Sequence, residues 1–117
     1  MPALVVSFGT NKGAPLAGDD DNGGSFTLID VRDVLNRNPF RNKALRKKRG
    51  TDPEVQADIR STPDFTNSMV ALTKMVANSG VKVCYLGCTG GHHRSVYAAE
   101  LIGTALGIPV RHRDINR

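Results

Sequence analysis

The sequence predicts an α/β fold, a single small domain with a mostly parallel central sheet flanked by helices. Three short apolar runs, at residues 3–7, 26–31 and 81–86, have the length and the β-branched content of buried strands. Two longer segments with apolar residues at helical spacing follow the second and the third run. Strands that alternate with helices are typical of parallel sheets, because a parallel pair needs a long crossover connection.

The connections between the strands differ in character. Residues 10–24 carry glycine, asparagine, aspartate and proline at a density typical of a surface loop. Residues 36–62 form a basic and partly irregular segment, which we call the basic segment. Two X-Pro pairs punctuate it, so any helices within it are expected to be short.

The helix boundaries follow from capping residues. The first helix is predicted to begin with Thr62 as N-cap and Pro63 in its first turn, and to end before Gly80. The second helix is predicted over residues 96–106, between a glycine-containing loop and a glycine stop. A final strand or extended tail is expected at residues 110–114.

Length and composition limit the class of protein. The 117 residues suffice for one domain, residues 1–117, with a mostly aliphatic core. No apolar run is long enough to span a membrane, and no signal peptide is visible. We therefore expect a cytoplasmic protein without a membrane partner. In that setting Cys84 and Cys88 are expected to be free thiols.

The positive charge is concentrated in the basic segment. The net charge is +5, and residues 34–51 contain no acid but seven arginines and lysines. One interpretation is an RNA-binding surface. The alternative is a solvated loop, because only Phe40 is available there for base stacking. The residues predicted to contact RNA are Arg41, Lys43, Arg46, Lys47, Lys48 and Arg49, with Arg111 and Arg113 of the C-terminal tail.

The loop that joins the third strand to the second helix has the features of an anion site. We call residues 88–95 the glycine loop. The first turn of a helix leaves its N–H groups unpaired and places the positive end of the helix dipole at the loop. Gly90 and Gly91 allow the backbone to approach a ligand closely, and Arg94 adds a guanidinium suited to two phosphate oxygens. The sequence therefore predicts a phosphate-binding loop.

The spacing within the glycine loop also matches a catalytic motif. Cys88, Arg94 and Ser95 have the Cys-x5-Arg-Ser spacing of cysteine-dependent phosphatases. In those enzymes the thiolate attacks phosphorus, the arginine holds the oxygens and the hydroxyl helps the thiolate to leave. Asp30 or Asp33 would then protonate the leaving group. A loop of the same spacing that binds phosphate without hydrolysing it remains an equal alternative.

The histidines allow several interpretations. His92 and His93 lie in a polar loop, where they are phosphate donors, a proton-transfer group or residues without a special role. His112 and Asp114 could join one of them at a metal ion, but their positions match no ligand spacing. We therefore predict neither a metal nor a cofactor.

Four motifs, in order along the chain, resemble the C-terminal domain of the RapZ family of bacterial RNase adapter proteins. The resemblance extends nearly from end to end and does not include the family's N-terminal nucleotide-binding, kinase-like domain, so the chain is similar to the C-terminal module alone. The motifs are Ser7-Phe8-Gly9 with Lys12-Gly13 and Pro15, Asp30-Val31-Arg32 with Asn38-Pro39, the loop from Gly87 to Tyr97, and Arg111-His112-Arg113-Asp114.

The resemblance implies an α/β domain that binds an amino-sugar phosphate at the glycine loop, binds small RNA and associates into homo-oligomers. It also implies roles for individual residues. Those that would hold the phosphate are Cys88, Thr89, Gly90, Gly91, His93, Arg94 and Ser95, with Asp30 and Arg32 lining the pocket and Lys12 nearby.

These observations give three hypotheses of function. The leading one is a module that binds a phosphorylated metabolite, or RNA, without turnover. The alternative is a small phosphatase that uses Cys88 as nucleophile. A third is a module that only contacts other proteins.

Overall fold

A computed structural model describes residues 1–117 and confirms the predicted α/β class. Its single sheet has four strands in the order β2-β3-β1-β4, and every neighbouring pair is parallel. The strands are β1 (Leu4–Gly9), β2 (Phe26–Asp30), β3 (Val83–Cys88) and β4 (Val110–His112), and the helices are α1 (Pro53–Arg60), α2 (Phe65–Ala77) and α3 (Arg94–Leu106).

The main core lies between one face of the sheet and all three helices. It contains 17 buried residues, and α3 contributes the largest group of them. On β3, the side chains of Cys84, Leu86 and Cys88 alternate onto this face and belong to the core. Both cysteines are free thiols, as predicted, and burial raises the pKa of Cys84 to about 12.

The opposite face of the sheet is covered by loop rather than by helix. A smaller cluster formed by Val6, Phe8, Val83 and Tyr85 occupies this face. The Tyr85 hydroxyl donates a hydrogen bond of 3.1 Å to the carbonyl of Asp19, which ties the loop of residues 10–24 to the sheet. The helices of the predicted fold thus flank the sheet on one side only.

The start of α2 differs from the predicted one. Asp64 has a positive φ of 60° and is the N-cap, so the helix begins at Phe65. Thr62 is not the N-cap: its carbonyl accepts the Phe65 N–H at 3.2 Å, and its hydroxyl is buried without a partner. The left-handed backbone at Asp64 interrupts the helical path that the Thr-Pro-Asp sequence indicated.

The basic segment contains two short helices between irregular stretches. A single 3-10 turn spans Pro39–Arg41, where the Asn38 side chain accepts the Phe40 N–H at 3.1 Å. Helix α1 follows, and the buried Leu45 anchors the stretch between them. No helix combines the length and the apolar character that crossing a bilayer requires.

Candidate functional site

The carboxyl ends of three strands meet at one edge of the sheet. In the parallel register Gly9 is opposite Cys88, and Asp30 is opposite Gly87. The chain therefore leaves β1, β2 and β3 side by side, as expected for the ligand-binding edge of an open α/β sheet. The glycine loop begins at this edge and passes directly into α3.

The backbone of the glycine loop turns its carbonyl groups toward the protein. The Thr89 carbonyl accepts the Asn11 N–H at 3.1 Å, and the His92 carbonyl accepts the Gly50 N–H at 2.8 Å. The Gly90 carbonyl accepts Lys12 Nζ at 3.1 Å. In contrast, none of the N–H groups of residues 89–95 donates a hydrogen bond to the protein. This arrangement provides a row of donors at the positive end of the α3 dipole.

Close packing of Gly90 and Gly91 against Gly9, at the end of β1, fixes the shape of the loop. Gly91 has a positive φ of 74°, and a Cβ atom there would lie 2.5 Å from the Gly9 nitrogen. A Cβ atom at Gly9 would in turn lie 2.5 Å from the Gly90 carbonyl group. The loop thus rests directly on the end of β1, and Gly91 lies behind the loop rather than at its open side.

The glycine loop forms one wall of a cavity of about 200 Å³. Seven of the residues predicted from the sequence or its resemblance line this cavity. They are Lys12, Cys88, Thr89, Gly90, His92, His93 and Arg94. Three further lining residues, Asn11, Asn38 and Phe40, were not predicted as site residues.

Arg94 is the charged group at the bottom of this site. Its side chain is only 6% exposed, and its sole hydrogen bond in the protein is one of 3.3 Å to the Leu35 carbonyl. No carboxylate forms an ion pair with it, and burial lowers its pKa. A buried charge without a partner is unfavourable, and an anion in the cavity would remove that penalty.

The two histidines of the loop have different environments. His93 is buried, and its Nε2 donates a hydrogen bond of 2.8 Å to the Lys48 carbonyl, which joins the loop to the basic segment. His92 has a buried Nε2 without a hydrogen-bond partner in the protein. Burial lowers the pKa of both rings, so both are uncharged at neutral pH. His92 Nε2 is therefore available to a polar atom of a ligand.

Four of the predicted site residues lie outside the cavity. Ser95 is buried beneath the loop, with its Oγ 3.1 Å from Cys88 Sγ, and Gly91 packs on β1. Asp30 and Arg32 form an ion pair of 2.6 Å at the edge of the sheet. The hydrogen bonds from Arg32 lower the pKa of Asp30, which therefore stays ionised. Neither member of this pair lines the cavity.

Comparison with known proteins shows the family of the chain. The sequence model of the RapZ C-terminal domain matches residues 1–116. The chain belongs to this family. It is 36% identical to a nucleotide-binding protein of Stutzerimonas stutzeri. The alignment is 126 residues long and covers 96% of the chain and 41% of that protein. A nucleotide-binding protein of Frankia casuarinae is 38% identical. That alignment is 131 residues long and covers 100% of the chain and 42% of that protein. The chain thus spans about two fifths of the length of these relatives.

In this RapZ C-terminal domain, Asp114 supports the glycine loop from below. It is fully buried and accepts the Gly9 N–H at 2.7 Å and Arg117 at 2.8 Å. A Cβ atom at Gly91 would lie 2.9 Å from Asp114 Cβ, so the carboxylate is next to the contact between the glycines. From the sequence, Asp114 was considered only as a metal ligand. The sequence feature that could have indicated this supporting role is that Asp114 is the one acid in the cationic C-terminal tail.

The structure assigns His112 to a different network. Its Nδ1 lies 2.7 Å from Ser7 Oγ, and its Nε2 lies 2.7 Å from Glu100 Oε1. These contacts join β4 to β1 and to α3. No group of three or more histidine, cysteine or acidic side chains is arranged to hold a metal ion.

Replacing Asp114 with asparagine is expected to destabilise the domain in a pH-dependent way. Burial acts to raise the pKa of Asp114, but the hydrogen bonds from Arg113 and Gly9 outweigh it and lower the pKa. A carboxyl with a lowered pKa stabilises the fold above its unfolded pKa, near 4, and loses this effect as the pH falls through the folded value. Asp114→Asn should cost about 2–4 kcal/mol at pH 7.

Urea unfolding at pH 7 and pH 3 measures this effect. The difference between the wild type and Asp114→Asn should shrink at pH 3, because the carboxyl is protonated there in the unfolded chain and the fold loses part of the stability that the ionised Asp114 gives it. Asp33→Asn is a suitable control, because Asp33 is exposed and forms no hydrogen bond or ion pair. Equal destabilisation by Asp114→Asn at both pH values would contradict the assignment.

The basic residues predicted to contact RNA are of two kinds, those without a carboxylate partner and those that are bound to another group of the domain. Arg41, Lys43 and Lys47 are exposed and have no carboxylate partner. Arg46 is also exposed, and its guanidinium lies 4.7 Å from the centre of the Phe40 ring. The other predicted RNA contacts have partners within the domain: Lys48 pairs with Glu54, Arg49 bonds to the Ile115 carbonyl, Arg111 pairs with Asp20, and Arg113 pairs with Asp114.

Proposed function

We propose that this domain binds a phosphate monoester at the glycine loop and does not turn it over. The observation that carries the proposal is the guanidinium of Arg94, which is buried, lines the cavity and has no acidic partner. A dianionic phosphate supplies the missing counter-charge. The unpaired N–H groups of the loop residues that line the cavity then donate to its oxygens at the end of the α3 dipole.

The remaining lining residues fit the rest of such a ligand. Lys12 Nζ lies at the rim of the cavity and provides a second positive charge. The unpartnered Nε2 of His92 accepts or donates one hydrogen bond at the uncharged part of the ligand. The cavity thus combines strong anion contacts with further polar side chains for the esterified part, among them Asn11, Asn38 and Thr89.

The family resemblance points to an amino-sugar phosphate as the ligand. The relatives in Stutzerimonas and Frankia are named nucleotide-binding proteins, which points to a nucleoside phosphate instead. Both classes contain a phosphate ester, and the phosphate is the part that Arg94 and the loop would recognise. The relatives are more than twice as long as this chain, so their name describes more than this domain.

The environment of Asp30 argues for binding rather than hydrolysis. A general acid must carry a proton at the working pH. The hydrogen bonds from Arg32 lower the pKa of Asp30, and the carboxylate lies outside the cavity that Cys88 lines. The alternative acid, Asp33, is exposed and also absent from the cavity wall. Cys88 would therefore attack phosphorus without a proton donor for the leaving group.

Calorimetry with glucosamine 6-phosphate and with glucosamine tests the proposal. We expect binding of the phosphate ester and none of the free amino sugar, because the phosphate provides the charge that Arg94 lacks. Phosphorus NMR after incubation should show the ester unchanged. Equal binding of glucosamine would rule out phosphate recognition. Release of inorganic phosphate that disappears in Cys88→Ser would instead establish the phosphatase alternative.

We further propose that the basic segment contacts RNA, as the resemblance implies. The supporting observation is the set of exposed cations without carboxylate partners, Arg41, Lys43 and Lys47, along one stretch of chain. Cations that are free of internal partners are available to phosphates of a nucleic acid. The self-association implied by the resemblance stays a prediction.

Neutralising two of these cations should weaken RNA binding and reduce its salt dependence. For Lys43→Gln combined with Lys47→Gln, the slope of log K against log salt should decrease by about 1–2, because each single-stranded phosphate contact contributes about 0.7. A filter-binding titration with a small RNA at several salt concentrations measures the slope. Lys74→Gln on α2 serves as the control for loss of charge alone. An unchanged slope in the double variant would exclude these lysines.

A further inference from the structure

A second cavity adjoins the one that the glycine loop lines. It measures about 460 Å³, and polar or charged side chains form most of its wall. Asn38 lines both cavities, so the two spaces are neighbours across a single side chain. Arg37, Arg41 and Asn42 also line the second cavity, which we call the Arg41 cleft.

Two of the three asparagines that line the Arg41 cleft, Asn38 and Asn42, present donors rather than acceptors. The Oδ1 atom of Asn38 accepts the Phe40 N–H at 3.1 Å, and the Oδ1 atom of Asn42 accepts the Ala44 N–H at 3.0 Å. Both side-chain oxygens are therefore occupied, and these bonds fix which amide atom is oxygen. The two NH2 groups have no partner in the protein and remain free to donate to a ligand.

The charge of the cleft is also unbalanced. Its one acid, Asp58, accepts a hydrogen bond of 3.3 Å from Arg37 Nε. Arg41 has no ion pair and no side-chain hydrogen bond. One guanidinium thus remains free beside two amide donors, an arrangement that favours an acceptor-rich anion such as phosphate.

The free guanidinium of Arg41 lies within electrostatic range of Arg94. Burial is the main cause of the lowered pKa of Arg94, and the charges of Arg32 and Arg41 lower it further. Arg32 is paired with Asp30, whereas Arg41 has no such partner. A phosphate on the glycine loop neutralises Arg94, while the exposed Arg41 stays available to a second anionic group.

We propose that the Arg41 cleft is a second anion subsite, and that the preferred ligand is a small metabolite bearing two phosphoryl groups, one on the glycine loop and one on Arg41. This inference rests on the proposed function of the glycine loop. It narrows the ligand class from phosphate monoesters in general to bisphosphates.

Calorimetry with matched sugar phosphates tests the second subsite. The probes are glucose 6-phosphate against glucose 1,6-bisphosphate, and fructose 6-phosphate against fructose 1,6-bisphosphate. At least one bisphosphate should bind about tenfold or more tightly than its monophosphate, which is the effect of one charge-assisted hydrogen bond. Arg41→Gln should abolish this preference, because the affinity for the bisphosphate should fall much more than the affinity for the monophosphate, which loses only the longer-range attraction of Arg41. Lys43→Gln, on the same stretch but outside both cavities, should retain the preference.

Each other outcome has a distinct meaning. If the monophosphates bind and neither bisphosphate is preferred, the second subsite is wrong and the function of the glycine loop stands. If glucosamine 6-phosphate binds but none of these sugar phosphates does, the preference for bisphosphates is wrong and the function of the glycine loop stands. If glucosamine 6-phosphate does not bind either, the proposed function itself fails. If a short single-stranded RNA binds in an Arg41-dependent way while the sugar phosphates show no preference, the cleft contacts a nucleic-acid backbone, and the small-ligand proposal is overturned.

Discussion

Replacing Arg94 with methionine should remove most of the affinity for a phosphate ester without destabilising the unliganded domain. The guanidinium is buried and has no acidic partner, so its loss removes charge-assisted hydrogen bonds to the ligand but no ion pair within the protein. Such bonds contribute about 1.5–3 kcal/mol, which corresponds to a loss of roughly 10- to 150-fold in affinity. Methionine fills a similar volume and avoids the cost of burying an unpaired charge.

Calorimetry with glucosamine 6-phosphate and thermal unfolding without ligand measure the two effects. Arg32→Met is the matched control, because Arg32 lies at the same edge of the sheet but is paired with Asp30 outside the cavity. We expect it to retain nearly full affinity. Unchanged affinity in Arg94→Met would exclude the glycine loop as the binding site. A large fall in melting temperature without ligand would show that Arg94 is structural.

Replacing Gly91 with alanine should both destabilise the domain and abolish phosphate binding. Gly91 has a positive φ of 74°, and an added Cβ would lie 2.5 Å from the Gly9 nitrogen and 2.8 Å from the Phe8 carbonyl carbon. These are backbone atoms of the central strand and cannot move aside as a flexible side chain would. The strained φ and the overlap together should cost about 2–6 kcal/mol.

The neighbouring glycine provides the control for this substitution. At Gly90 an added Cβ would meet only the His92 ring, at 3.5 Å, and the backbone there is not in the left-handed region. Gly90→Ala should therefore retain the stability of the wild type in urea unfolding. Equal stability of Gly91→Ala and Gly90→Ala would show that the loop does not rest on β1 as described.

Local sequence signals were sufficient to predict the strands, the loop and the helix that build the site. The apolar runs of β1 and β3 and the glycine before α3 predicted a strand, a loop and a helix start, and the parallel register then brought the strand ends together. The structure extends β3 to Cys88 and begins α3 at Arg94, so both predicted boundaries were wrong by two residues. Helix and strand ends depend on hydrogen bonds that periodicity does not report.

The parts that sequence reasoning missed depend on contacts between distant segments. Asn38 and Phe40 reach the cavity because the basic segment folds back along the glycine loop, held by His93 and Gly50. Asp114 reaches Gly9 from the opposite end of the chain. No local pattern encodes such contacts. Thr62 shows the converse, since a capping sequence that is valid locally gave way to a turn with a left-handed backbone at Asp64.

The position of β1 in the sheet determines when the domain is able to fold. Leu4 pairs with Val83 and Val5 pairs with Val110, so the first strand of this domain has both of its neighbours about 80 or more residues further along the chain. Contacts of such long sequence separation slow folding. During translation β1 therefore remains without hydrogen-bonded neighbours until β3 leaves the ribosome, and the ligand site is assembled only after the last strands of this domain have been made.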